Sequence, residues 1–280
     1  MGRDANELLD QLAELIAAKL QTKQKPNGST SPRLVSVEDG SLQLNSQATL
    51  MTTSTSTGQA PAQQTVPLVV RTANGGGLGF GAQHSQAVEN WTLAIPGLKI
   101  AAPSNPADVV GLMASAVRSE DPVVFFEHKG LMAGKGPAAP EGHVVPLGQA
   151  AIARPGTDIT IVALAATVPM ALAAADRLAA DGVSAEVVDL RCLVPLDMAT
   201  VLASVDKTSR LLIVEENPYQ GGWGGTVASI VADEGFELLD APVKRIAAAC
   251  VPLPFADVLE QQVIPTVDSV TTAIRGLLAY

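Results

Sequence analysis

Aromatic side chains are scarce: Phe, Tyr and Trp together make up 3% of the 280 residues. Any core must therefore be filled by Ala, Val, Leu and Ile. Positive charge is also thin, with 18 Lys and Arg against 28 Asp and Glu and a net charge of −10. That balance argues against the basic stripe of a nucleic-acid-binding protein. Only two cysteines are present, Cys192 and Cys250, with no CxxC pair and no metal-ligand spacing. They read as small apolar side chains in a reducing compartment. No run reaches the roughly 18 apolar residues of a membrane span, and there is no signal-peptide pattern. The expectation is a protein of the bacterial-type cytoplasm or an organelle matrix, neither secreted nor membrane-bound.

What is present is apolar content, 47% against 16% charged residues. This is enough for sizeable cores and too apolar for general disorder. The length allows one large domain or two ordinary ones. The acid excess is uneven: residues 151–280 hold 16 acidic and 8 basic side chains, residues 1–150 hold 12 and 10. An acidic C-terminal half serves solubility in the plain reading and offers a docking face to a basic partner in the sharper one.

Residues 1–65 form an atypical section. Leu8, Leu9, Leu12, Leu15, Ile16 and Leu20 recur at helical spacing, which predicts one amphipathic helix of about four turns. Polar Pro/Gly/Ser and Thr/Ser-rich sequence follows and reads as poorly ordered. The helix is a remnant packing on the rest of the chain or, less simply, a tether for a partner groove. From Val66 the texture changes. VPLVVRT is a buried-strand pattern, LKIAA a second strand, Pro106 opens a helix and VVFFEH is a third strand. The Gly/Pro-rich stretch 137–153 reads as a linker. In 154–280, strands DITIVAL, AEVVDLR, RLLIVEE and VKRIAAA alternate with helical patterns. Such alternation predicts an α/β fold with a mostly parallel sheet.

The loop GGGLGFGAQHSQ follows the first strand and holds His84, one of three histidines. It contains no GxGxxG opening a helix and no GxxxxGK[ST], so a nucleotide loop is a weak reading. Its glycines either cross the sheet as a plain loop or let backbone approach a ligand and present His84. With no GxSxG elbow, Ser–His hydrolysis is disfavoured, and no His/Cys/Asp cluster has transition-metal spacing. His128, at a strand end, reads as a structural hydrogen-bonded residue. The pair Glu215-Glu216 stands at a strand's carboxyl end and either lines a crevice or caps the next helix. Gly221, Gly222, Gly224 and Gly225 read as close packing at a helix start or subunit contact.

From Val66 onward the chain resembles the β subunit of the thiamine-diphosphate-dependent decarboxylating component of 2-oxo acid dehydrogenase complexes, the pyruvate, branched-chain and acetoin enzymes. The stretches that carry the resemblance are VPLVVRT, GAQHSQAVENW, IPGLKIAAPSNPADVVGLMASAVRSEDPVVFFEH, VVDLRCLVPLD, RLLIVEENPYQGGWG and VPLPFADVLE, in collinear order. The resemblance implies the C-terminal part of a pyrimidine domain (66–136) followed by a transketolase-type C-terminal domain (154–280). It implies an α2β2 assembly with an α subunit, shared thiamine diphosphate and Mg2+, decarboxylation of a 2-oxo acid, and acyl transfer to the lipoyl domain of a dihydrolipoyl acyltransferase core. His84 falls on the family's active-site histidine, with Gly81, Gln83 and Ser85 in its lipoyl loop. An imidazole titrating near neutrality suits such a role. A structural potassium site is implied at Leu68, Ala116, Val117, Ser119 and Asp121, where carbonyl oxygens and one carboxylate suit a hard cation.

The departure lies before Val66, where the family carries well over a hundred residues of α/β structure, including the glutamate that activates the cofactor. No equivalent is found, since Glu38 stands in SVEDG without that context. The pyrimidine domain reads as incomplete, truncated or rearranged at its N-terminus. Two readings follow: a catalytic β subunit, or a non-catalytic assembly module docking the acyltransferase core.

Overall fold

The computed structural model describes residues 65–136 and 138–280. The helix expected over 5–20, the polar sequence after it and Glu38 lie outside the described residues. Two sheets organise the rest.

The first sheet is built on the β-branched runs. Strand β1 (Val69–Asn74) pairs in parallel with β3 (Val123–His128), and β3 pairs in parallel with β2 (Lys99–Ala101). Helix α2 (Pro106–Ala116), which follows the short α1 (Gly81–His84), crosses one face. It starts where the sequence says it should. The Asn105 side chain accepts from the Asp108 N–H at 3.0 Å, and Pro106 occupies the first helical turn, where its missing N–H costs nothing. Leu112 and Ala116 of α2 pack on Ala101, Val123 and Phe125. The opposite face, through Ile100, Ala102, Val124 and Phe126, shares one core with the second half of the chain. Because successive strand residues point to opposite faces, the all-apolar run Val123–Phe126 is what a strand covered on both sides requires.

The second sheet runs β4-β6-β5-β8-β9, with β4 (Ala151–Arg154), β5 (Ile159–Ala163), β6 (Ala185–Asp189), β8 (Leu211–Pro218) and β9 (Lys244–Ala248). All its pairings are parallel except that of β4 with β6. Helices α3 (Thr167–Ala179) and α7 (Val267–Leu278) cover one face through Ala171, Ala175, Leu178, Val270 and Ile274. Helices α4 (Met198–Thr208) and α5 (Gly224–Glu234) cover the other through Val201, Val205, Val227 and Val231. The four long strands and four of these helices were expected. Two short strands and a helix were not. β4 begins at Ala151, inside the stretch read as linker. β7 (Cys192–Val194) leaves the second half to pair antiparallel with β2 as an edge of the first sheet, and α6 (Asp257–Val263) lies in the sequence read only as VPLPFADVLE. Three- and four-residue strands are too short to show a period.

A polar knot joins the halves beside β7. The Arg191 guanidinium holds the Asp108 carboxylate bidentately at 2.7 and 2.9 Å. The Asp189 carboxylate accepts from the Arg191 N–H at 3.0 Å and from the Ser104 hydroxyl. Burial pushes the Asp189 carboxyl up from 3.8 to about 6, against those two donors, which favour its charge. A carboxyl with a raised folded-state pKa binds its proton more tightly folded than unfolded. Its contribution is therefore complete below pH ~4 and is lost as pH rises to about 6. Asp189→Asn should flatten that decline, by at most about 3 kcal/mol across the window. Urea unfolding at pH 4 and pH 7 reads it, and equal declines in parent and variant would refute the assignment.

Candidate active site

β1 ends at Asn74 and the chain turns into the glycine loop. Gly75, Gly77, Gly79 and Gly81 all have positive φ, from +66° to +88°, a region open to glycine and strained for other residues. Every second residue is thus left-handed, and successive N–H groups turn toward common acceptors, forming a nest for anions. The anions are this chain's own carboxylates. The Gly76 N–H donates to Glu216 Oε1, and the Gly77 and Gly79 N–H groups donate to Glu260 Oε1 and Oε2 at 3.0 and 2.9 Å. The loop thus binds negative charge, that of side chains distant in sequence.

Strand alternation splits Glu215 from Glu216: Glu215 takes the helix-capping role expected for the pair, while Glu216 is not among the cleft-lining residues and anchors the loop instead. Glu215 points into the sheet's helix-covered face and accepts from the Gly224 N–H at the start of α5. Glu216 points toward the first half, where it meets His128 Nε2 at 2.7 Å. The Gly130 N–H donates to His128 Nδ1 at 3.1 Å, which places the ring proton on Nε2, facing Glu216. Burial alone would raise the Glu216 carboxyl. His128, the Gly76 N–H and Lys129 outweigh it and hold Glu216 below the usual range. His128 is thus a fixed hydrogen-bonding post, as its place at the strand end suggested. The post also explains Gly75, since a Cβ there would stand 2.0 Å from His128 Nε2. Gly75→Ala should cost about 2–3 kcal/mol from the clash and the left-handed backbone together. A thermal melt measures this, and an unchanged midpoint would contradict it.

Above this base the loop closes into α1, whose last residue is His84. His84 is exposed and opens on a cleft of about 570 Å³ shared with Gln83, Asn74, Trp91 and Lys129. Of the loop residues expected around the site, Gln83 lines the cleft with His84. Gly81 and Ser85 are buried and do not. Asn74, Trp91 and Lys129 were missed, although Asn74 is the last residue of β1 and Lys129 directly follows β3, at carboxyl ends where such sheets place their sites. Burial lowers the Lys129 ammonium, with Glu216 opposing. The Asn74 amide is 2% exposed and has no hydrogen-bond partner on either atom, and Ser85 Oγ is likewise unpartnered. Glu89 beneath them is pushed up by burial. The Asn74 amide lies close enough to offset this in part but outside standard hydrogen-bond geometry. Asn217 Nδ2 donates to Glu89 Oε2 at 3.1 Å and to the Ala87 carbonyl at 2.8 Å. None of the cleft-lining residues is acidic.

The residues expected to hold a cation lie across the first sheet. Lys99 Nζ stands 3.0 Å from Asp121 Oδ2 and 3.1 Å from Ser119 Oγ. The Leu68 carbonyl accepts from the Val123 N–H and the Ala116 carbonyl from the Ser119 N–H, each keeping a second lone pair. Val117 is exposed.

Two family models match this architecture: the transketolase pyrimidine binding domain over residues 45–135, and the transketolase C-terminal domain over residues 148–270. The fold is accordingly that of a paired transketolase-type unit. It is similar to a solved split-gene transketolase described as an inactive β4 tetramer, with a TM-score of 0.65, 24% identity, and coverage of 77% of this chain and 67% of that one. In sequence, the chain is 45% identical to the pyruvate dehydrogenase E1 component subunit β-2 of Oryza sativa subsp. japonica, over 76% of this chain and 58% of that protein. It is 41% identical to the corresponding β subunit of Rickettsia felis, over 78% and 67%. The chain belongs to the family of β subunits of the decarboxylating component of 2-oxo acid dehydrogenases. It spans about three-fifths of the length of the first of these relatives. No helix of the described residues is long and apolar enough to cross a membrane.

Proposed function

We propose that this chain supplies the His84 side of a shared active site that decarboxylates a 2-oxo acid and passes the acyl group to lipoamide, in an α2β2 assembly with an α subunit. The substrate would be pyruvate, a branched-chain 2-oxo acid or an acetoin-type compound. The observation that carries the reading is the cleft: an exposed imidazole on a clasped loop, beside an ammonium and an unpaired buried amide. Lys129 and Asn74 suit the carboxylate of a 2-oxo acid, and His84 can hold or give a proton at a dithiolane sulfur or at that carboxylate. Thiamine diphosphate would supply the electron sink when bound. The described cleft lacks the carboxylate that would polarise an aminopyrimidine, so the described residues fit the substrate and lipoyl side of the site only. Among the described residues no group of three or more His, Cys, Asp or Glu side chains is placed to hold a metal ion. The proposal therefore assigns the diphosphate and Mg2+ to the α subunit. A potassium ion at Leu68, Ala116, Val117, Ser119 and Asp121 belongs to the same reading. With Asp121 already matched by Lys99, the ion would rest on carbonyl oxygens.

The experiment is co-expression with an α subunit of this family, followed by CO₂ release from each 2-oxo acid and acylation of a free lipoyl domain. CO₂ release with lipoyl acylation is the expected result. A stable pair that releases none would overturn the catalytic reading. The acid-free cleft favours a second reading, an assembly module, whose mark is salt-sensitive binding to the acyltransferase core without turnover. The acidic C-terminal half suits a basic docking domain. A bacterial-type cytoplasm or an organelle matrix fits either reading.

A further inference from the structure

Glu260 is a carboxylate with a single evident task. It sits on α6, 2% exposed, and its two oxygens accept from Gly77 and Gly79, residues more than 180 positions earlier in the chain. We propose that Glu260 is the positioning residue of the His84 loop: an internal anion that fills the nest of N–H groups and fixes where α1 presents its imidazole.

Four observations carry this. The loop's backbone alternates into the left-handed region at Gly75, Gly77, Gly79 and Gly81, a conformation that leaves N–H groups without intraloop acceptors and therefore needs an anion. Both carboxylate oxygens are used, one per N–H, so the contact fixes orientation as well as distance. The fit is close on the same side, since a Cβ at Gly79 would lie 2.6 Å from Asp257 Oδ1 and 3.2 Å from the Phe255 carbonyl. Finally, Glu216 holds Gly76 from β8 of the second sheet, so the loop is anchored at its start on β8 and along its middle on α6. His84 itself stands between the Gly79 contact and the Gly75 N–H to Gln86 carbonyl bond (3.1 Å) that closes the loop, on a single turn of helix too short to hold its own position. Exposed glycine backbone without these acceptors would be among the most mobile in the chain.

The inference takes its functional meaning from the His84 reading above. Its test needs neither cofactor nor partner, so the two can fail separately. Amide hydrogen exchange is followed on the whole chain for the parent, Glu260→Gln and Glu260→Ala. In both variants the peptide spanning the glycine loop and α1 should exchange about tenfold faster or more, with β5, β6 and β8 unchanged. Glu260→Gln keeps the volume of the side chain, so acceleration there reports lost charge and acceptor capacity. Added formate, a carboxylate small enough for the space vacated in Glu260→Ala, should restore the loop's protection and leave Glu260→Gln unaltered. Packing alone would not respond to formate in this way. Unchanged loop exchange in Glu260→Gln overturns the proposal. So does uniform loss of protection through the second sheet, which would make Glu260 a general structural group, and so does failure of formate to re-protect the alanine variant.

Discussion

His84→Ala should cut acylation of a lipoyl domain by roughly 10²–10⁴-fold, the range lost when a positioned acid–base group is removed, while the melting temperature stays where it was. The two halves of that expectation come from one geometry. His84 is exposed at the open end of α1 and lines the cleft with its apolar neighbour Phe80. Its removal leaves no cavity and strips no buried partner, and surface changes of that kind fall within about 0.5 kcal/mol. The structural load of the site is carried below it, by His128 on Glu216 and by the glycine N–H groups on two carboxylates. Activity and stability are therefore separable at this residue. The measurement is reductive acylation by the assembled pair, with a thermal melt of the same variant. Full acylation by His84→Ala would remove His84 from the chemistry, and a fallen melting point would show that the loss is structural. His84→Gln, which keeps a hydrogen-bond donor but cannot take up or give a proton as imidazole does, separates placement from proton transfer: substantial retained rate would point to placement.

Glu215→Ala should cost about 3–5 kcal/mol, the range for breaking a buried ion pair from one side. The Glu215 side chain is fully buried. It accepts from the Arg245 Nε at 3.0 Å and from Arg245 Nη2, and from the Gly224 N–H at 2.7 Å. Gly222 and Gly224 wrap the carboxylate so closely that a Cβ on either would stand 2.4 or 2.6 Å from it. Alanine would leave the Arg245 guanidinium, 13% exposed, with only the Tyr219 carbonyl at 3.0 Å and the face of the Tyr219 ring at 4.4 Å. It would also orphan the first N–H of α5. Urea unfolding gives the number, and a change below about 1 kcal/mol would mean that water replaces the carboxylate without penalty. Arg245→Met in the same background should recover part of the loss, because the guanidinium would no longer be stranded.

The glycines of GGWGG were read as close packing at a helix start, and that is how two of them act, with a carboxylate as the thing packed upon. The four long strands of the second sheet were legible because each carries a short aliphatic stretch, such as IVA in β5 or LLIV in β8, between turn signals, and the helices between them because of their spacing. Glu215 and Glu216 were legible as a site but not as a division of labour. Adjacent strand residues face opposite ways, and only knowing what covers each face decides which caps α5 and which anchors the glycine loop. Glu260 left no local trace, since the residues it serves lie in another part of the chain. The signal that could have found it was in the loop: glycine at 75, 77, 79 and 81, every second position, is the spacing of an anion nest. That pattern asks for an acid somewhere, without saying which. Asn74 and Lys129 carry no motif of their own: their strand-end positions are the signal, and that signal marks a place without marking a residue type.

Because Cys192–Val194 leave the second half to edge the first sheet, with Cys192 buried among Leu112, Ala116 and Phe125, the two halves cannot be inherited as interchangeable parts. A cut in the Gly/Pro-rich stretch before β4 that separated the halves would leave the first sheet without that edge strand, and the second half with three apolar residues and no sheet to join. Either half expressed alone would therefore be expected to reach the insoluble fraction, and a chimaera of relatives joined there should fold only where the incoming β7 fits the retained β2 edge.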